Sequence, residues 1–298
     1  MEPLQAVLIL FAAVCVFCWI ASLITKDTSW VDRIWSIVPV AYVWIFAGFA
    51  VAEGREATRL VLMAAVVTLW GARLTYNFAR KGGYTGMEDY RWAILRGRMK
   101  PWQFQLFNLL FIVLYQNALL VLISLPALVA WENPAPLGVG DILFAALFLA
   151  FLLGETIADQ QQWRFHQAKK RAGGQLAPGF ITYGLFRVSR HPNFFFEQAQ
   201  WWAFYALGAT AAVASGAGIW GGAINPTIAG AILLTLLFIG STIFTESISA
   251  GKYPAYADYR RSTSMLIPWP PKSSTTGQDE PDAAARPHAP SRPADSRR

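Results

Sequence analysis

Apolar runs long enough to cross a bilayer recur seven times between residues 4 and 245, and no other feature restricts the fold as strongly. They cover residues 4–25, 34–51, 60–78, 104–131, 142–157, 194–217 and 227–245. About 20 apolar residues suffice to span the hydrocarbon core as a helix. Backbone polar groups facing lipid find no water, so each run is expected to be helical. The reading is an all-α, polytopic membrane protein with about seven transmembrane helices, the fifth continuing past Asp159 towards Trp163. Charge agrees: 14% of the 298 residues are charged, where soluble domains carry about a quarter. Met1-Glu2-Pro3 lacks the basic start of a signal peptide.

The connecting segments alternate in charge. Arg80, Lys81, Arg91, Arg96, Arg98 and Lys100 lie between the third and fourth runs, and Arg164, Lys169, Lys170, Arg171, Arg187 and Arg190 between the fifth and sixth. Lys252, Arg260, Arg261 and Lys272 follow the seventh, whereas 132–141 and 215–225 hold no Lys or Arg. By the positive-inside rule the basic segments and the C-terminus are cytoplasmic and the N-terminus is outside. The net charge of +7 is then a topology signal, and nothing resembles a nucleic-acid module. Residues 1–272 form one membrane domain; 273–298, rich in Pro, Ala, Ser and charge, read as a disordered cytoplasmic tail. The tail's alanine and arginine content suggests a bacterial chain, hence the inner membrane. Cys15 and Cys18 form a C-x-x-C inside an apolar run, where packing or lipid contact is expected rather than redox chemistry.

Polar residues inside spans are functional candidates, because lipid makes them costly. Pro192 suits the first turn of a helix. Arg187, Arg190 and His191 precede it, and a helix start flanked by arginines suits a phosphate-bearing ligand; equally, such a group can merely fix topology. Asn193 and Glu197 follow on one face. Glu155, Asp159, Gln162 and His166 form a second stripe, readable as an interhelical hydrogen-bonding network as well as a site. Arg73, Tyr76 or Asn77, and Arg80 share a face at the end of the third run. Asp32 stands just before the second run, able to pair with Arg33 or to act beside a buried substrate. Tyr256 and Tyr259 precede Arg260 and Arg261, where they could close over a ligand or join an interface belt, as Leu266-Ile-Pro-Trp-Pro-Pro271 is expected to. The chain has three histidines and no second one near His191, which argues against a metal site.

Gly184-Leu-Phe-Arg-Val-Ser-Arg-His-Pro-Asn193 followed by Glu197 resembles the C-terminal signature of the steroid 5α-reductase family, and its bacterial, largely uncharacterised branch most of all. Trp30-Val-Asp-Arg-Ile-Trp35, Trp70-Gly-Ala-Arg73, Arg80-Lys-Gly-Gly-Tyr84, Tyr256-x-x-Tyr259 and Leu266-Ile-Pro268 are similar to that branch in the same order. The resemblance implies a seven-helix membrane reductase that binds NADPH on its cytoplasmic side and moves a hydride to the carbon–carbon double bond of an α,β-unsaturated ketone. It implies that Asn193 and Glu197 contact the nicotinamide end and that Asp159 is an acidic cofactor contact. Arg80, Tyr84, Arg187, Arg190, His191, Tyr256 and Tyr259 complete the expected cofactor site. Where the steroid enzymes hold the ketone with a Glu and a Tyr, Asp32 and Tyr76 are the candidates here. Glu246 stands where those enzymes carry histidines, so the implied substrate widens to a lipid or terpenoid enone.

Arg190-His-Pro192, Glu246 and Tyr256–Tyr259 also resemble membrane isoprenylcysteine methyltransferases, which use S-adenosylmethionine. A lipid-binding scaffold or transporter would need no cofactor, though the chain shows no inverted repeat. The charge pattern makes one directly testable claim. Reporter fusions after Trp131 and after Lys272 are expected to give opposite sidedness, with Lys272 cytoplasmic; equal sidedness would break the proposed alternation.

Overall fold

The computed structural model describes residues 1–86 and 88–272; the expected tail at 273–298 lies outside the described residues. Among these the chain is helical, with no strand. The helices are α1 (Pro3–Thr25), α2 (Trp30–Ile34), α3 (Val38–Ala52), α4 (Thr58–Arg80), α5 (Tyr90–Arg98), α6 (Pro101–Phe107), α7 (Gln116–Ser124), α8 (Pro126–Glu132), α9 (Val139–Arg171), α10 (Pro192–Ala214), α11 (Ile228–Lys252) and α12 (Tyr256–Ser262). A π-helical segment, Asn108–Tyr115, joins α6 to α7, and a 3₁₀ turn, Gly184–Arg187, precedes α10.

Each of the seven expected apolar runs is mainly helical, with turns at 35–37, 125 and 215–216, and the protein is a multi-pass membrane protein in composition. Five helical stretches are long and apolar enough to cross: Pro3–Thr25, Thr58–Arg80, Pro101–Glu132, Val139–Arg171 and Ile228–Lys252. The expected count of seven therefore stands at five by length and composition. Helix α3 has 15 residues, about 22 Å at the α-helical rise, against a hydrocarbon core of about 30 Å. Helix α10 has 23 residues but carries Asn193, Glu197, Gln198 and Gln200 in its first half. Helix α9 is longer than its apolar run. Its 33 residues end on Lys169, Lys170 and Arg171, where cations meet the negative end of the helix dipole.

Local chemistry sets the ends. Prolines occupy the first turn of α1, α3, α6, α8 and α10, where a missing N–H costs nothing. The Asp89 side chain accepts from Arg91 N and starts α5. Lys26, at φ 56°, closes α1 in the left-handed region. The most extensive helix pair is α9 with α10, and α3 packs on α4. Close approach depends on missing side chains: a Cβ on Gly208 of α10 would sit 2.5 Å from the Pro126 carbonyl oxygen of α8. Trp70, Trp201, Tyr42, Phe46, Phe148 and Phe204 fill the interior. Cys15 and Cys18 are buried in a cluster with Val31, Trp92 and Val113, so they pack inward and do not face lipid.

Charged groups clamp α4, α9 and α10 together at both ends. At the end away from the basic segments, Arg59 donates from Nε to Asp141 Oδ1 at 2.7 Å and from Nη2 to Oδ2 at 2.9 Å. Arg59 also donates to the carbonyls of Ala135 and Pro136, while Asp141 accepts from Gly138 N and Thr210 Oγ1. Arg59 and Asp141 side chains are 3% and 1% exposed, so neither has water as an alternative partner. Breaking such a pair by removing one member leaves a bare buried charge, at a cost of about 3–5 kcal/mol. Arg59→Leu is expected to destabilise the detergent-solubilised protein by that amount in denaturant unfolding. Arg59→Leu with Asp141→Leu is expected to recover part of it, the Gly138 and Thr210 bonds remaining lost.

Candidate functional site

At the other end of the same three helices, three carboxyl groups converge on one guanidinium. Arg73 of α4 lies 2.7 Å from Glu155 Oε1 and 2.7 Å from Asp159 Oδ2 of α9, and 3.3 Å from Glu197 Oε2 of α10. Asn77 Nδ2 donates to Asp159 Oδ2 at 2.7 Å, and Gln200 Nε2 to Glu155 Oε2 at 2.6 Å. The indole N–H groups of Trp70 and Trp201 both donate to Glu197. The two indoles meet edge to face, 4.9 Å between centroids. All three acids are buried. Two atoms within this network are buried with no partner: Gln200 Oε1, an acceptor, and Arg73 Nε, a donor.

The expected stripe on α9 divides. Glu155 and Asp159 turn into this cluster, whereas His166 is exposed. Gln160 and Gln161 do work the sequence did not suggest. Gln160 accepts from Arg80 Nη1 at 2.8 Å, and Gln161 accepts from Leu185 N at 2.9 Å. Of the alternatives at the end of α4, Asn77 is the inward one. Arg80 donates from Nε to Asn77 and lies over the rings of Tyr76 and Trp163. Tyr76 itself is 67% exposed.

The Arg-His-Pro block is held by the C-terminal segment. Arg190 Nε and Nη2 donate to Glu246 at 2.6 and 3.1 Å, and Nη1 donates to the Arg260 and Thr263 carbonyls. His191 Nε2 is 3.2 Å from Glu246 Oε1, and its ring stacks on Phe194. Backbone bonds Arg190 N to Ser264 O, His191 N to Met265 O and Trp269 N to Val188 O zip the two strands of chain together. Tyr259 donates to the Phe186 carbonyl and stacks on Phe180, which Tyr256 meets edge-on. Both phenols are buried, and burial pushes their pKa up. Arg190, His191, Tyr256 and Tyr259 thus face protein partners. Arg187 is exposed on its 3₁₀ turn, and Asn193 is half-buried at the start of α10. Tyr84 donates to the Arg33 carbonyl and meets Phe78 edge-on. In the Leu266–Pro271 stretch Ile267 and Trp269 are exposed.

Beside the N-terminus of α10 lies a cavity of about 540 Å³. Phe107, Phe111 and Tyr115 form one wall, stacked at 4.9 and 5.3 Å between centroids. The π-helical turn brings residues four apart nearly into line, so this register builds a continuous aromatic face. Such turns recur at functional sites. Trp35, Phe194, Leu237 and Phe244 close the rest, and Asp32, Arg91, Gln116 and Ser241 are its polar groups. Asp32 Oδ2 accepts from Trp92 Nε1 at 3.2 Å. Its pKa is raised by burial and by the neighbouring Asp89. Arg33 pairs with Asp27 and donates to the Gly83 carbonyl, which leaves Asp32 to the cavity. Asp32 and Tyr76 are not brought together: Tyr76 is on the outer face of α4 and does not line this space. The phenol that does is Tyr115. A heptad-like or α-helical reading of the 104–131 run hides Tyr115 among apolar neighbours, and no sequence signal marks the π turn. No cluster of His, Cys, Asp and Glu able to hold a metal ion occurs among the described residues.

Residues 18–263 match the family described as "Protein of unknown function (DUF1295)". The chain is 38% identical over 266 residues to "Uncharacterized protein C594.04c" of Schizosaccharomyces pombe, an alignment covering 84% of this chain and 75% of the relative. This relative is fungal, and neither comparison shows the bacterial origin expected from the tail. No solved structure matches.

Proposed function

We propose, from the premise that the chain belongs to the DUF1295 family, that it is a membrane-embedded, NADPH-dependent reductase of lipophilic enones, similar in chemistry to the steroid 5α-reductases. The observation that carries this reading is the pairing of an apolar cavity, closed at one side by an acid, with a buried polar cluster one turn along α10 from the cavity wall at Phe194. A ligand pocket of this size, mostly apolar with a few converging polar groups, suits a small lipophilic substrate.

The residues fit the cofactor. Gln200 Oε1 lacks a donor and Arg73 Nε lacks an acceptor, and a carboxamide offers one of each. Asn193, Glu197, Gln200 and Arg73 would hold the nicotinamide end, with Asp159 beside them. Arg187, exposed at the basic end, would meet the 2′-phosphate. Bound there, NADPH supplies the hydride. Asp32 supplies the matching proton. Its raised pKa keeps the acid form present at higher pH, able to give its proton to the substrate carbonyl. The resulting enol would return that proton to the carboxylate, which would pass it to the α-carbon, so that one proton is consumed per hydride. Tyr115 opens on the same cavity and takes the carbonyl-holding part expected of Tyr76. The aromatic wall excludes water, which strengthens both hydrogen bonds. In this reading the basic end of the bundle faces the cytoplasm, where the nucleotide is.

Thermal shift of the purified protein tests the cofactor. NADPH is expected to stabilise it at lower concentration than NADH, because a charge-assisted hydrogen bond to the extra phosphate is worth about 1.5–3 kcal/mol. Arg187→Gln is expected to remove most of that difference. S-adenosylmethionine binding without either nucleotide would instead establish the methyltransferase reading, which a cluster rich in carboxylates also suits.

Asp32→Asn keeps the shape of the side chain but removes the proton. General acids contribute about 10²–10⁴-fold, so turnover is expected to fall by that order with NADPH affinity unchanged. In the native protein turnover is expected to decline as pH rises through the raised pKa of Asp32, the sign required of a group active when protonated. A flat profile, or an active Asp32→Asn, would remove Asp32 from the chemistry.

A further inference from the structure

Three carboxyl groups share one guanidinium in the α4–α9–α10 cluster, and the charge does not balance. Arg73 is the only cation in contact with Glu155, Asp159 or Glu197 among the described residues. Arg80, the next one, turns its guanidinium to Asn77, Gln160 and the Asp159 carbonyl and makes no ion pair with a carboxyl group. Lys81 lies near enough to feel the charges of Asp159 and Glu155 but makes no ion pair or hydrogen bond with either. The remaining partners, Trp70, Asn77, Gln200 and Trp201, are neutral donors. The fully buried Gln200 adds a further electron-rich atom, Oε1, with no donor of its own. An ion-pair network built for stability alone would match its charges, as Arg59 and Asp141 do one for one at the opposite end.

We infer that this cluster selects the charge of the ligand group it holds, binding a cationic ring more tightly than its neutral counterpart. A cation brought against it either meets bare carboxylates or displaces the proton one of them holds; a neutral ring can do neither. The inference rests on the nicotinamide reading above and deepens it, since oxidised and reduced nicotinamide differ by one positive charge on the ring. The protein then favours the oxidised cofactor electrostatically and pulls hydride transfer towards product. The same surface would prefer the sulfonium of S-adenosylmethionine to uncharged S-adenosylhomocysteine.

The test is a set of dissociation constants measured by tryptophan fluorescence on the full-length protein in detergent. NADP⁺ is expected to bind more tightly than NADPH. Glu155→Gln and, separately, Asp159→Asn are expected to reduce that ratio about tenfold or more, since one unit charge a few ångströms from another is worth more than this in a partly buried site. NADPH binding as tightly as NADP⁺ to the unmodified protein overturns the inference without need of either variant. So does a ratio unchanged in whichever variant folds, while the reductase reading survives in both cases. If neither nucleotide binds but S-adenosylmethionine outcompetes S-adenosylhomocysteine, the reductase reading fails and the charge selection stands.

Discussion

The largely buried guanidinium of Arg73, its side chain 11% exposed, is the constraint on which the rest of this bundle depends. Moving a charge out of water costs several kcal/mol even after the protein relaxes. Arg73 can lie between α4, α9 and α10 only if each packed neighbour returns something to it, and Glu155, Asp159 and Glu197 do so from two helices. The Arg59–Asp141 pair repeats the device at the far end of the same helices. Arg59 and Arg73 are fourteen residues apart on α4, as are Asp141 and Glu155 on α9. That is roughly 21 Å at the helical rise on each. The two clamps therefore fit one register, with α4 and α9 parallel and α10 reversed, since Thr210 meets Asp141 and Gln200 meets Glu155.

This frame leaves room for a second construction beside it. The α9–α10 pair is tightly packed, and α11 packs on α7, but the π-helical stretch before α7 turns a row of aromatic rings towards a gap instead of a neighbouring helix. Phe194, next to Asn193 on α10, lines that gap, three residues before Glu197 of the polar cluster. His191 stacks on Phe194 and contacts Glu246 of α11. The Arg190–Glu246 latch thus sets the position of the α10 N-terminus, and with it both the cavity wall and the cluster below.

Parts of the site are legible from residue spacing. Asn193 and Glu197 on one face of a helix started by Pro192, and Glu155 with Asp159 on another, both hold in the structure. Polar residues inside apolar runs stand out because lipid gives them no other partner. The roles of Arg190, Tyr256 and Tyr259 are not legible in the same way. A basic or aromatic residue at a membrane end reads alike whether it faces a ligand, a lipid headgroup or a carbonyl seventy residues away, and here all three face the protein. Tyr76 and Asn77 were equivalent on the helix face; only the position of α9 makes Asn77 the buried one.

By itself the sequence determined that this chain is helical and belongs in a membrane, because backbone satisfaction in lipid allows little else for such apolar runs. It also determined which polar residues must find buried partners. The tertiary structure alone decided which partners those are. A helix specifies the face a side chain lies on, but not which helix will be packed against that face. The meeting of Arg73 with three acids, of Arg190 with Glu246, and of Asp32 with the aromatic wall ending at Tyr115 follows from contacts between segments far apart in the chain.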